Sequence, residues 1–409
     1  MTDTRALIGR NKKNYQRNRV INFVRVNEDA SKADIHNATG YSMTTVIGLA
    51  DELLSENLIY EEKCTDSRIG RKPTWLRLNP SAGYFVGLEF NRNVMNCVVL
   101  NFMLGRVYEK NHVIYDSEKN RDGIVAAIGS MIETAINSIP AENRRILAIG
   151  LGVPGYIDKV HDIALSYRHL LNWHDVPLRR IVEDRFGIPC FMGNNVDSMI
   201  YAYKWLVYRG TCEDMLFVSI RTGVRVVPVV NNHIISSKNG YAGELGHIKV
   251  IGGSRLCECG KIGCLNSEIS DVAIVNKIID GIRIGRFREI AERVHYQTEN
   301  VSMEVFIEAV TRGDKDALLL LRQCAEFLGS SLASLVNLFG SNKIILYGAL
   351  TLVGDAFWEP LDDYMSRDTI PENYSRVKVE ASQFGSDIGA LGAAAYAMQE
   401  SFPYIEKPF

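Results

Sequence analysis

At Pro80 the hydrophobic pattern of this chain changes period, and one layer architecture cannot serve both sides of the change. Before it, apolar residues recur at helical spacing; after it, strand-like runs alternate with helices. The chain has 409 residues, enough for two or three cores. Two kinds of fold are therefore expected in series.

Residues 15–28 place Val20, Ile21, Phe23 and Val24 on one helical face. In SKADIHNATG, Ser31 can cap a short helix with Asp34 three residues on, and Gly40 can end it. Ser42 can cap a second helix over MTTVIGLADELLSEN, with Val46, Leu49, Leu53 and Leu54 turned inward. Two strands, 58–62 and 74–78, flank a basic tip with Arg68, Arg71 and Lys72. This order is that of a winged helix-turn-helix, assigned to residues 1–80. Its second helix offers Ser42, Met43, Thr44 and Thr45 at the N-terminal turn, the end that meets base edges in double-stranded DNA. The tip cations suit backbone phosphates. Paired half-sites require paired heads, so a homodimer or tetramer is expected. The alternative for this region is a small helical protein-interaction module.

Residues 1–25 carry seven Lys and Arg against Asp3 alone, a local charge of +6. Such a block suits phosphate contact, with a solvated, disordered tail as the alternative. The whole chain has a net charge of −2, which excludes a bulk polyanion binder. No apolar run reaches the eighteen-odd residues of a membrane span, and the N-terminus lacks a secretory signal pattern, so a cytoplasmic protein is expected. Eight unevenly spread cysteines do not make a disulfide framework.

Beyond Pro80, strands are expected at 84–90, 94–102, 106–115, 145–153, 188–193, 215–230, 342–350 and 377–382. Helices are expected at 121–139, 176–187, 195–209 and 316–339. This is an α/β chain with mixed sheets and no visible internal repeat.

Residues 243–270 read GELGHIKVIGGSRLCECGKIGCLNSEIS. His247, Cys257, Cys259 and Cys264 follow the spacing G-H-x9-C-x-C-x4-C. Three thiolates and an imidazole form a closed tetrahedral set, the usual choice of structural Zn²⁺. Gly260 and Gly263 let the loop turn tightly around an ion. Four protein ligands leave no open position, which argues against metal catalysis. A thioredoxin-like C-x-x-C is absent. A cysteine-rich loop without metal is the alternative.

These segments resemble the ROK family of repressors and sugar kinases, and within it the regulators that join a winged helix to a sugar-kinase-like body. The resemblance rests on GRKPTWLRLNP at 70–80, LGVPGYID at 151–158, LLNWHDVPLRRIVEDRFGIPCF at 170–191 and GNNVDS at 193–198. It continues through GELGH at 243–247, CECGKIGCL at 257–265 and IILYGAL at 344–350. It implies a two-lobed actin-like ATPase (ribonuclease H-like) body with sugar bound between the lobes. The first lobe is expected at 81–194 plus 385–409, and the second, with the zinc site, at 195–384. The family's metal shapes the sugar wall, and the matching histidine also faces the sugar.

Aligned with the family, the chain departs where kinase chemistry sits. The catalytic aspartate of E-N-D-A-N falls at Val196, which cannot accept a proton. Asp197 is one residue later, a rotation of about 100° on a helix, and should point elsewhere. The phosphate loop D-x-G-G-T reads Glu89-Phe90-Asn91-Arg92-Asn93, and G-T-G-x-G-x-G reads Arg221-Thr222-Gly223-Val224-Arg225-Val226-Val227. Side chains here would keep backbone N–H groups from phosphate. No kinase activity is expected. Asn195, Glu244 and His247 match the family's sugar-contacting positions, and Asn266 stands where a glutamate is usual. Arg221 and Arg225 read as ordinary surface or lobe-packing arginines, with a phosphorylated ligand as the alternative reason for them. The expected protein is a repressor of carbohydrate genes with a sugar or sugar derivative as effector. The rivals are a sugar kinase with an added DNA-binding domain and a regulator controlled by a protein partner.

Overall fold

The computed structural model describes residues 4–63, 74–237 and 240–403. The basic tip with Arg68, Arg71 and Lys72 lies outside the described residues. The chain forms two compact units. The first holds residues 1–211, 238–240 and 386–409, and the second holds 212–237 and 241–385.

The first unit opens with three helices, α1 (Thr4–Val26), α2 (Lys32–Thr39) and α3 (Met43–Ser55), and two paired strands, β1 (Ile59–Lys63) and β2 (Thr74–Leu78). The local chemistry is the expected one. Ser31 and Asp34 close a reciprocal capping box, and Gly40 ends α2 at φ 69°. Ser42 Oγ accepts the Thr45 N–H at 3.2 Å and starts α3. Val20, Ile21, Ile35, Val46, Leu53 and Leu76 are fully buried between them. The basic N-terminal block departs from expectation: α1 begins at Thr4, so helix replaces tail. Several of its cations are also engaged. Lys13 pairs with Glu52 at 2.6 Å, Arg17 pairs with Glu56, and Arg19 donates to the Thr39 carbonyl at 3.1 Å. Arg25 is buried against the body, where it donates to the Phe102 carbonyl and lies over that ring.

The body of the first unit contains β3 (Tyr84–Phe90), β4 (Val94–Asn101), β5 (Arg106–Val113), α4 (Arg121–Asn137) and β6 (Ile146–Val153). These are followed by a small sheet of β7 (Tyr156–Asp158), β8 (Ile163–Ser166) and β9 (His174–Val176), which the sequence reading did not anticipate. Then come α5 (Leu178–Phe186), β10 (Cys190–Asn194) and α6 (Asn195–Ala202). The main sheet runs β10-β6-β3-β4-β5, parallel from β10 to β3 and antiparallel from β3 to β5. The C-terminal helix Ile388–Ser401 crosses this sheet at backbone contact. A Cβ on Gly87 or Gly150 would stand 2.1 or 1.9 Å from carbonyls of that helix. The expected lobe boundary at 195 therefore moves to 211. Helix α6 belongs to the first unit, where Gly392 of the C-terminal helix lies under the Ser198 carbonyl and Trp205 Nε1 donates to Gln399 Oε1 at 3.1 Å.

The second unit begins with β11 (Met215–Ile220), β12 (Val224–Val230) and β13 (His233–Ile234). A long excursion follows through α7 (Leu265–Ile269), α8 (Asp271–Arg283), α9 (Arg288–Arg293), α10 (Met303–Thr311) and α11 (Lys315–Phe339). It closes with β14 (Lys343–Gly348), α12 (Asp355–Asp368), α13 (Pro371–Tyr374) and β15 (Lys378–Ala381). Its sheet runs β13-β12-β11-β14-β15, again antiparallel on the hairpin side and parallel beyond it. This is the first unit's topology repeated. Among the described residues α11 alone is long and apolar enough to cross a membrane, and 67% of its apolar window is buried in this core.

Candidate metal centre and ligand-facing positions

In the head, Ser42, Met43 and Thr44 are exposed at the first turn of α3 and Thr45 is half-buried. Ile47, one turn on, is 42% exposed. An apolar side chain left outside beside small hydroxyls suits contact with thymine methyls and base edges.

In the second unit the sequence brings four ligands to one point. The 3-10 turn Leu245–His247 presents His247, and bridges between Lys249 and Cys264 and between Leu256 and Ile262 shape a hairpin. Gly263 is required: at φ 79° a Cβ would lie 2.7 Å from the Gly253 carbonyl. The ligand atoms of His247, Cys257, Cys259 and Cys264 all fall within 4.8 Å of one another. Cys257 Sγ lies 3.6 Å from His247 Nδ1, and Cys259 Sγ lies 3.7 Å from Cys264 Sγ. With zinc–sulfur bonds of about 2.3 Å, a tetrahedron has sulfur–sulfur edges of about 3.8 Å. The spacing is far too long for a disulfide and fits a tetrahedral cation. Burial pushes the Cys257 thiol up and the Cys264 thiol up to about 12. The Lys261 backbone N–H pulls Cys259 down. A divalent cation is what would deprotonate the two buried thiols together.

The positions matched to sugar contacts are already engaged inside their own units. In the second unit, Glu244 Oε1 meets Arg225 Nη1 at 2.6 Å, and Glu244 Oε2 stands 3.8 Å from His247 Nε2. The second separation is too long for a hydrogen bond. Asn266 Oδ1 accepts the Val224 N–H at 3.1 Å, leaving its amide N–H groups as donors. In the first unit, Asn195 Nδ2 donates to Glu89 Oε1 at 3.1 Å, and Asn195 Oδ1 accepts the Val196 N–H at 3.0 Å.

The positions that the resemblance sets against the kinase residues are as follows. Val196 is 8% exposed on α6. Asp197 is buried and paired with Lys159 at 3.1 Å. Both phosphate-loop counterparts are the turns of the first hairpin in each sheet. Between β3 and β4, Asn91 Oδ1 accepts the N–H groups of Asn93 and Val94 at 2.8 and 3.0 Å. Between β11 and β12, the Arg221 N–H is taken by the Gly223 carbonyl at 3.0 Å and the Val224 N–H by Asn266. The N–H groups of Asn93, Val94, Arg221 and Val224 are thus spent internally. Arg225 was legible in the sequence as a lost glycine, but its pairing with Glu244 was not. Glu268, which accepts the Ser254 and Arg255 N–H groups, carried no sequence signal.

Burial pushes the Glu268 carboxyl up, but the Lys277 ammonium and the N–H groups of Arg255 and Ser254 outweigh it and leave it below the ordinary glutamate value.

Comparison with known proteins matches this arrangement. A putative xylose repressor of Caldicellulosiruptor sp. is 29% identical over 374 residues, 91% of this chain and 93% of that protein. In fold, a ROK family transcriptional regulator, a homologue of the Escherichia coli MLC protein, superposes with a TM-score of 0.82 at 22% identity, over 95% of this chain and 96% of that one. A ROK family glucokinase from Streptomyces griseus, in complex with glucose and AMPPNP, gives 0.66 at 24% identity. It covers 78% of this chain and 100% of the kinase. The ROK family model aligns with residues 87–400, behind the three N-terminal helices and the β1-β2 pair, and the chain belongs to the ROK family.

Proposed function

We infer that this chain is a sequence-specific DNA-binding regulator: a repressor of carbohydrate-metabolism genes, with a sugar or sugar derivative as effector and no kinase activity. The observation that carries the reading is the head. A winged helix with an exposed Ser42–Thr44 turn stands ahead of residue 87, where the family body begins. The relative named a putative xylose repressor matches across 91% of the chain, and the ROK glucokinase fold across 78%. Spent N–H groups in both hairpin turns, with Val196 at the base position, support the loss of phosphoryl transfer.

His247, Cys257, Cys259 and Cys264 would hold a structural Zn²⁺, whose charge keeps three thiolates in one place. Glu244, His247, Asn266 and Asn195 are the effector-facing candidates. Ser42, Met43, Thr44 and Thr45 would read bases, while Arg68, Arg71 and Lys72 would contact phosphates. The two-fold symmetry of operators asks for a homodimer or a tetramer. A regulator of genomic DNA works in the cytoplasm. A second reading, control by a protein partner, is favoured by one observation: Asn195, Glu244 and Asn266 each already hold an intrachain partner.

Selection of fragmented genomic DNA on the purified protein tests the reading. A few palindromic sites beside carbohydrate genes are expected, with affinity lowered evenly across sites by Arg71→Ala/Lys72→Ala. Diffuse binding with no preferred site would overturn it. D-xylose and other aldoses added to the selected complexes then separate a sugar-controlled regulator, whose DNA is released, from one that awaits a protein.

A further inference from the structure

Glu268 is 2% exposed on α7, four residues past Cys264, and is none of the four ligands. Its Oε1 accepts the backbone N–H groups of Ser254 and Arg255 at 2.9 and 3.0 Å. Its Oε2 lies 2.7 Å from Lys277 Nζ on α8, and the Lys277 side chain is 11% exposed. That ammonium in turn stands 5.6 Å from the centre of the Phe327 ring on α11. The Arg255 carbonyl is held from the other side, by the Gly263 N–H at 3.0 Å and the Ser267 hydroxyl at 3.2 Å. Residues 254 and 255 are thus fixed on both peptide faces, two residues before Cys257.

Burying a carboxylate and an ammonium is a poor route to stability, because desolvation offsets most of their attraction. An apolar pair would fill the same space. What the ion pair provides is direction: one carboxylate oxygen aimed at two successive N–H groups, with its own position set by a lysine on a neighbouring helix. The strand so fixed carries Cys257 and Cys259 towards His247 and Cys264.

We propose that Glu268, held by Lys277, is the positioning residue of the metal hairpin. It anchors Ser254 and Arg255 so that Cys257 and Cys259 converge on His247 and Cys264 before an ion arrives. The proposal rests on the zinc reading above. It requires the hairpin to be ordered in metal-free protein, unlike small zinc modules that fold only on the ion.

The test uses the full chain as wild type, Glu268→Leu, Glu268→Gln and Lys277→Met, each loaded with zinc. Transfer of zinc to a chromogenic chelator is timed, and hydrogen exchange at the Ser254 and Arg255 amides is followed in metal-free protein. Glu268→Leu should release zinc on the order of 10- to 100-fold faster, the usual effect of losing an outer partner of a metal site. Glu268→Gln, which keeps an acceptor oxygen, should recover part of this, and Lys277→Met should show a smaller acceleration. The two amides should be protected in metal-free wild type and exposed in Glu268→Leu. If Glu268→Leu fails to fold, Lys277→Met carries the test. Equal release rates from zinc-loaded wild type and the variants would overturn the proposal alone. A wild-type chain that takes up no zinc would overturn the metal reading, and this proposal with it.

Discussion

The two units are built on the same five-stranded sheet and use it differently. Strand order and direction agree, β10-β6-β3-β4-β5 in one and β15-β14-β11-β12-β13 in the other. In the first, the connection from the meander back to the parallel strands is one helix, α4. In the second, the same connection contains the metal hairpin and five helices. The first sheet meets the C-terminal helix through glycine, at Gly87 and Gly150. Its other face buries the aliphatic layer Val86, Leu88, Ile149 and Leu151, much as the second sheet buries Leu216, Val218, Ile220, Ile344 and Leu346. The first scaffold adds close backbone approach, and the second adds the hairpin that gathers His247, Cys257, Cys259 and Cys264. The first-hairpin turn has closed in both, by Asn91 in one and by Asn266 in the other.

The largest effect expected from breaking this comparison is at the metal. Cys264→Ser should abolish zinc retention and give an early calorimetric transition from the second unit, while the first unit's transition stays in place. Structural zinc supplies on the order of 10 kcal/mol in small zinc modules. A single unshifted transition would show that the hairpin does not support its unit. Next comes Gly150→Ala. A methyl group 1.9 Å from the Ala393 carbonyl must push the helix off the sheet, costing about 3 kcal/mol. Urea denaturation should show it, and Gly223→Ala in the second unit, where only Asn266 Oδ1 comes within reach at 3.7 Å, supplies a control without the clash.

The second unit also carries a pH dependence. Burial pushes the Asp271 carboxyl up to about 6, with Arg221 pulling it down and Glu304 adding to the rise. The folded chain then holds a proton that the unfolded chain releases near pH 4. The contribution of this group is full below that value and is lost as pH rises to about 6. Asp271→Asn should flatten stability between pH 4 and 6, read by denaturation at each pH; an unchanged slope would contradict the assignment. The smallest effect is at the closed turn of the first sheet. Asn91→Ala frees the N–H groups of Asn93 and Val94 to solvent and should cost about 1 kcal/mol.

Much of this was legible in the residues. Ser31, Asp34, Gly40 and Ser42 specify the head, because capping is local chemistry. His247, Cys257, Cys259 and Cys264 stand out through their spacing, and the fold brings their donor atoms within 4.8 Å of one another. The doubling of the sheet left no sequence trace. The two halves share strand directions but not side chains, so topology persisted while pattern did not. The small β7-β8-β9 sheet was missed because strands of three or four residues carry too few alternations to register. The lobe boundary differs because α6 follows β10 directly in sequence, and the contacts of the C-terminal helix at Gly392 and Gln399 show where it belongs. Arg225 and Glu268 act through partners 19 and 13 to 14 residues away, a distance at which sequence order does not report contact.

The claim that both sheets have closed the turn that would hold a nucleotide is met most directly by one assay: ADP release from ATP and Mg²⁺ by the zinc-loaded chain, across a panel of aldoses that includes D-xylose and D-glucose. The account predicts no release above the sugar-free background with any of them. Sustained, sugar-dependent turnover that disappears when Asp197 is replaced by Asn would contradict it, and would return the chain to the kinases.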